Sequence, residues 1–164
     1  MTRHRFDSAT TSLAVLSVAA PAPQPGTLDW PTPLTVAEFP HMVLAVAGTV
    51  HTPRGQELSA DSAFATGVAL LAAAWWAGFR SASQFTEAEH ADVVVLPAPA
   101  TPAWGDPGYL YFFFPGSYVA VRPETGTVIV GDGTTLTAPL AWAEGAATVA
   151  AARFVANSDE AVVA

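Results

Sequence analysis

The sequence predicts an α+β fold in which two main helices pack on one face of a mostly antiparallel sheet. Two apolar, alanine-rich segments are long enough to form helices, near residues 63–79 and 139–156. Short runs of β-branched and aromatic residues stand between Pro and Gly turns, and three of these runs are separated only by hairpin-type turns. With 164 residues, one domain buries enough apolar surface to fold without a metal or a disulfide.

The N-terminal part, residues 1–34, is predicted to be a strand followed by a Pro-rich arm. Leu and Val residues within residues 11–19 are typical of a strand, whereas the prolines of residues 21–33 interrupt regular structure. Residues 1–22 also share features with a secretory signal peptide, because two arginines precede a short apolar run. Polar residues interrupt that run, so a targeting role for it stays open and secretion is not excluded.

Residues 35–157 are predicted to form a single α+β domain, and residues 158–164 a frayed tail. The clearest local structure is a three-stranded antiparallel meander, because Pro-Gly and Pro-Glu-Thr-Gly turns separate its strands. The predicted strands of the domain are residues 35–39, 42–51, 91–96, 109–114, 117–122 and 127–130. No repeat with a period of about 20–50 residues is visible.

Two helices complete this prediction. The first is capped by Ser59 or Asp61 and ends near residues 81–83, and the second begins at Pro139 and reaches about residue 156. Residues 63–79 carry no charge, which suits either a buried helix or a membrane-associated one. As a helix they span roughly 25 Å, less than the ~30 Å hydrocarbon core of a bilayer, so we expect a buried helix.

The charge of the chain narrows its possible partners. With six Lys or Arg residues against 14 Asp or Glu residues, the net charge is −8, and the cations form no local patch. Such a chain repels nucleic acid and anionic lipid, so we expect neither as a partner. A basic protein partner fits this charge, because opposite potentials speed encounter, but the charge is explained more simply as what keeps an apolar chain in solution. The chain has no cysteine, which excludes disulfides and thiolate sites but leaves the redox compartment open.

The sequence contains no pattern typical of an enzyme or of a cofactor site. Gly116 and Ser117 lack the context of a nucleophile elbow, and without lysine there is no Walker loop. Glu87, Glu89, His90 and Asp92 could together bind a hard divalent cation, but no second cluster supplies the missing ligands, so a solvated acidic bend is the preferred interpretation. We therefore expect no catalytic residue, no metal and no cofactor.

Aromatic residues are the remaining candidates for function. Because alternate residues of a strand point to opposite faces, the aromatic strand at residues 109–114 cannot bury all its rings beneath the helices. One set should lie on the outer face near Trp104, where it either stays exposed as an anchor for a partner or is covered by a second layer such as the Pro-rich arm. The candidate contact residues are Trp104, Tyr109, Tyr111, Phe113 and Tyr118, with Glu87, Glu89 and Asp92 as acidic residues that steer a basic partner.

The segment YVAVRPETGTVIV at residues 118–130, followed by a Thr-rich turn and a helix near Pro139, resembles the C-terminal part of small immunity proteins from bacterial polymorphic toxin systems. This resemblance implies a strand–turn–strand–helix half of an α+β domain. It also implies a cytoplasmic protein that binds and occludes a cognate toxin without catalysis.

The function that we expect is therefore a non-enzymatic protein-binding domain, with an immunity protein as the specific form. The alternative is a structural component of a larger assembly, such as a virion or capsid-associated protein, whose Pro-rich arm contacts neighbouring subunits. A homo-oligomer is possible: a monomer in solution favours the immunity protein, whereas a ring or a large assembly favours the structural component. A small enzyme whose residues converge only in the fold is a third possibility.

Overall fold

The computed structural model describes residues 5–6, 12–19, 29–31, 42–46, 48–79 and 91–163. This part of the chain forms eleven strands and two helices. The strands are β1 Arg5–Phe6, β2 Ser12–Ala19, β3 Asp29–Pro31, β4 Met42–Val46, β5 Thr49–His51, β6 Glu57–Leu58, β7 Ala91–Leu96, β8 Leu110–Phe114, β9 Ser117–Arg122, β10 Thr127–Val130 and β11 Thr135–Leu136. The helices are α1 Ala60–Trp76 and α2 Ala138–Val163.

Every pairing between these strands is antiparallel, and the predicted α+β class is confirmed. The strand orders of the three sheets are β1-β2-β7, β3-β4-β5-β6 and β8-β9-β10-β11. The predicted meander is also confirmed as β8, β9 and β10, with β11 as a fourth strand. A bridge between Ala100 and Tyr111 pairs the chain that follows β7 with the edge of β8.

The first half of the domain differs from the prediction in its strands. Residues 42–51 form two strands instead of one, because Gly48 adopts a φ of 82° and turns the chain between β4 and β5. The short strands β3, β6 and β11 were not predicted, because two or three residues are too few to show the alternation of apolar and polar side chains that indicates a strand. β3 lies within the predicted Pro-rich arm and pairs with β4. The predicted strand at residues 35–39 lies outside the described residues.

Both helices have bounds that differ from those expected. The Ser59 hydroxyl accepts a hydrogen bond from the Ser62 N–H, so Ser59 and not Asp61 caps α1. α1 ends at Trp76, earlier than expected, because Gly78 at a φ of 107° turns the chain out of the helix. α2 instead continues to Val163, so residues 158–163 of the expected frayed tail are helical. Neither described helix has the length and hydrophobicity that a membrane span requires.

The chain contains an internal repeat longer than those of solenoids. Residues 48–76 align with residues 126–154 without a gap, and both segments fold as strand, turn, short strand and helix. The positions with identical residues are Gly48/Gly126, Thr49/Thr127, Val50/Val128, Gly55/Gly133, Leu58/Leu136, Ala60/Ala138, Ala63/Ala141, Ala65/Ala143, Gly67/Gly145, Ala69/Ala147 and Ala72–Ala74/Ala150–Ala152. The absence of shorter periods therefore did not exclude a duplicated unit.

Hydrogen bonds repeat along with the residues. The Gly55 N–H donates to the Thr52 carbonyl at 2.9 Å, and the Gly133 N–H donates to the Val130 carbonyl at 2.8 Å. Ser59 caps α1 at 3.2 Å, and Thr137 caps α2 in the same way at 3.3 Å. The register also repeats, because Val50 pairs with Leu58 as Val128 pairs with Leu136. The two segments thus share backbone geometry as well as sequence.

The two repeats face each other about a pseudo-two-fold axis. A Cβ atom on Gly67 would lie 2.9 Å from the Gly145 carbonyl oxygen, and a Cβ on Gly145 would lie 2.8 Å from the Gly67 carbonyl oxygen. Such reciprocal contact between equivalent residues is the mark of a two-fold interface. α1 and α2 cross at these glycines, where the lack of a side chain lets the backbones approach closely.

Each helix packs on the sheet of the other repeat. α1 contacts β7, β8 and β9, whereas α2 contacts β3, β4 and β5. The larger core accordingly joins Leu70, Leu71 and Trp75 of α1 to Phe112 and Val121 of the meander. A smaller core joins alanines of α2 to β4 and β5. Each helix is therefore covered mainly by the sheet of the other repeat and makes fewer contacts with the strands of its own.

Candidate interaction surface

The meander has one face in the core and one face directed away from α1. Phe112 is fully buried, and Leu110 and Phe114 pack beside it against the same core. The alternate residues Tyr111 and Phe113 point to the opposite face. On the neighbouring strand, Tyr118 stands directly opposite Phe113 in the register. The expected division of the aromatic residues between two faces is present.

Four rings gather on the outer face, and we call Trp104, Tyr111, Phe113 and Tyr118 the aromatic patch. The Trp104 ring meets those of Tyr111, Phe113 and Tyr118 with centroid distances of 5.2, 6.0 and 5.8 Å. The other three pairs of rings are 5.5–6.4 Å apart. These distances are typical of favourable edge-to-face and offset contacts. Trp104 remains 64% exposed and Phe113 52% exposed, so the patch presents two large rings to solvent.

The loop between β7 and β8 positions Trp104 over the sheet. Ala100 exchanges two backbone hydrogen bonds with Tyr111 at 2.8 and 2.9 Å, and the Asp106 N–H donates to the Tyr111 hydroxyl at 3.0 Å. A Cβ on Gly105 would lie only 2.7 Å from the Tyr111 ring, so glycine allows the loop to approach this closely. These contacts hold the loop against the sheet and leave the Trp104 ring exposed.

The packing of the patch determines what it can bind. Because the rings touch one another, no cage opens between them for a cation, which would need rings spread around it within about 6 Å. What remains available is the outer surface of Trp104 and Phe113, which suits contact with another macromolecule.

The other predicted contact residues lie elsewhere or are outside the described residues. Tyr109 does not join the patch; the Arg122 guanidinium lies over its ring at 5.8 Å from the centroid. Glu87 and Glu89 lie outside the described residues. Asp92 is a residue of β7, where its backbone pairs with Val18. Among the described residues, no group of three His, Asp or Glu side chains is placed to hold a metal.

A buried ion pair is the main polar feature that the sequence did not indicate. Arg54 Nη1 lies 2.6 Å from Glu144 Oε2, and the two side chains are only 10% and 1% exposed. Arg54 Nε also lies 3.5 Å from Asp132 Oδ2. Arg54 and Asp132 occupy equivalent positions in the two repeats, so opposite charges meet near the pseudo-two-fold axis. The pair connects the β5–β6 turn, α2 and the β10–β11 turn.

The Asp132 carboxyl is held in its charged form. Partial burial raises its pKa, but the hydrogen bond from the Thr134 N–H and the nearby Arg54 charge outweigh burial, so the pKa lies below its ordinary value of 3.8. Because the folded state binds this proton less tightly than the unfolded state, Asp132 stabilises the fold above its ordinary pKa. That stabilisation is lost as the pH falls through the lower folded-state pKa.

We expect Asp132→Asn to lower the urea midpoint of unfolding at about pH 6, and the effect to shrink as the pH falls below the ordinary pKa of 3.8 and through the lower folded-state pKa. Urea titrations of the wild type and the variant across this range measure the difference. Asparagine keeps an acceptor for the Thr134 N–H, so the variant isolates the charge. An equal difference at every pH would contradict the assignment.

Comparison of the chain with protein-family models, curated proteins and solved structures finds no match to any of them.

Proposed function

We propose that this protein is a non-enzymatic binding domain and that its aromatic patch docks onto a basic surface of a partner protein. The exposure of Trp104 and Phe113 on a sheet face that no described element covers supports this most directly. Tryptophan is enriched among residues that dominate binding energies, and a rigid ring loses little conformational entropy on binding. The patch is preorganised, since hydrogen bonds at Ala100 and Asp106 already fix the loop that carries Trp104.

The charge of the protein favours a basic partner. The net charge is −8, and Asp106, which follows Trp104 in the same loop, is exposed beside the patch. Opposite potentials steer encounter and suppress like-charged partners. Among such partners, a secreted toxin is the first to test, because the hairpin at residues 118–130 resembles those of immunity proteins. The occluding surface would then be the outer face of β8 and β9.

The experiment begins with a photo-crosslinking residue, benzoylphenylalanine, at position 113 and, as a matched control, at the exposed Val95 position. Proteins captured only from position 113 are purified, and their affinity for the unmodified protein is measured by calorimetry. We expect Trp104→Ser combined with Phe113→Ser to weaken binding by roughly 30-fold or more, as for loss of a hot spot. Val46→Ser, at an exposed apolar site outside the patch, should leave the affinity unchanged.

Two results would overturn this proposal. One is an unchanged affinity of the doubly substituted protein for the captured partner. The other is capture of further copies of this chain alone, together with a dimeric solution mass that the double substitution converts to a monomer, since the patch would then be a self-association surface.

A further inference from the structure

A groove between the start of α1 and the second half of α2 lies away from the aromatic patch. It has a volume of about 220 Å³ and is lined by Ala60, Asp61, Phe64, Ala152, Arg153 and Ala156. The Arg153 guanidinium lies over the Phe64 ring, 4.7 Å from its centroid. The volume is below the roughly 300–1,000 Å³ of sites for drug-sized ligands, so the groove suits a single side chain.

The internal repeat shows what fills the equivalent groove. Phe64 corresponds to Trp142 and Arg153 to Trp75. In that second groove Trp75 is buried, and the Phe79 ring packs against Trp142 with a centroid distance of 5.3 Å. One groove is therefore filled by aromatic side chains of the chain itself, whereas its counterpart is open.

The difference follows from how the two helices end. α1 stops at Trp76, and Gly78 lets the chain turn so that the Phe79 N–H donates to the Ala74 carbonyl at 3.0 Å. This turn brings the Phe79 ring back over the groove. At the position equivalent to Gly78, α2 has Ala156 and stays helical. No residue of α2 can therefore turn back onto Phe64 as Phe79 turns back onto Trp142.

We infer that the groove receives an aromatic side chain from a partner protein, in the place that Phe79 takes in the other repeat. One carboxylate, Asp61, and one guanidinium, Arg153, line the groove, and the guanidinium already stacks on the Phe64 ring. The exposed Asp61 carboxylate, together with the net charge of −8, therefore favours a Lys or Arg next to that aromatic residue. The occupant stacks beside the Phe64 ring, with the aliphatic part of Arg153 as the second wall. This site is separate from the aromatic patch and does not depend on the function proposed for it.

The test uses the full chain, labelled with ¹⁵N, and the probe N-acetyl-Phe-Lys-amide. We expect saturable chemical-shift changes at the backbone amides of Asp61, Phe64 and Ala152. N-acetyl-Ala-Lys-amide should bind roughly tenfold more weakly or not at all, because it lacks the ring. N-acetyl-Phe-Glu-amide should also bind more weakly than the lysine probe.

Two variants that fill or narrow the groove test whether the probe binds there. Arg153→Trp introduces the residue that fills the other groove, and Ala156→Leu narrows the groove with a different side chain. Both variants should abolish the chemical-shift changes caused by the probe. Their thermal unfolding temperatures should stay at or above that of the wild type. Trp104→Ser with Phe113→Ser should leave the shifts intact. Shifts that persist in both groove variants, shifts that move to the aromatic patch, or no saturable binding by the wild type would each overturn the inference.

Discussion

Replacing Arg54 by methionine is expected to lower the free energy of unfolding by about 3–5 kcal/mol, the usual cost of breaking a buried ion pair by removing one partner. The substitution takes away the guanidinium that faces the carboxylate of Glu144, and that carboxylate is almost completely buried within α2. A carboxylate in such a place is stabilised chiefly by the charge beside it, because water cannot reach it. Urea unfolding followed by tryptophan fluorescence measures the loss.

The control for Arg54→Met is the double variant with Glu144→Leu. Replacing both members of a buried pair by apolar residues of similar volume is often neutral or stabilising, so the double variant should recover most of the lost stability. If Arg54→Met alone is as stable as the wild type, the ion pair does not have the importance that its burial indicates. If the double variant is less stable than the single one, packing around α2 rather than charge determines the effect.

Alanine at Gly67 or at Gly145 is expected to cost about 1–3 kcal/mol, as overpacking of a close-packed interior does. At Gly67 the added Cβ would lie 2.8 Å from Val149 Cγ2, and at Gly145 it would lie 3.0 Å from the Leu71 backbone nitrogen. Neither contact is relieved by turning a flexible side chain, because backbone atoms of the opposite helix are also within 3 Å. α1 and α2 must therefore separate, which disturbs both cores.

Gly108→Ala is a matched control for these variants. The nearest atom to its added Cβ is Asp106 Oδ1 at 3.6 Å, an ordinary contact. Because alanine restricts the unfolded chain more than glycine does, this variant should be neutral or slightly stabilised. Thermal unfolding of the three variants under one set of conditions compares them. Equal stability of all three would contradict the close crossing of the helices.

Local sequence signals were sufficient for the three-stranded meander. The turns at Gly116 and Gly126 stand between strands with strong β propensity, so the meander followed from residues close in the chain. The first half was harder, because the turn at Gly48 has no proline or Asn-Gly signal and the strands around it are short. The end of α1 depended on the positive φ of Gly78, which the composition of the segment does not indicate.

For the candidate site, the alternation of side chains along a strand predicted which aromatic residues of β8 and β9 share the outer face of the sheet. Tyr111, Phe113 and Tyr118 share a face because of strand geometry, and the structure brings them together. Tyr109 was assigned to the same stripe but lies before β8 begins, where alternation no longer applies. The Arg54–Glu144 pair joins residues far apart in sequence, and only the crossing of the helices places them together.

Because α1 packs mainly on strands of the other repeat, it is made on the ribosome before the strands that cover it. When α1 emerges, the strands that cover it, β8 and β9, have not yet been made, so its leucines and tryptophans face solvent or a chaperone. Folding of the first repeat must therefore wait until residues near 122 have left the exit tunnel. A stop codon between the repeats would release a fragment that exposes its most apolar helix.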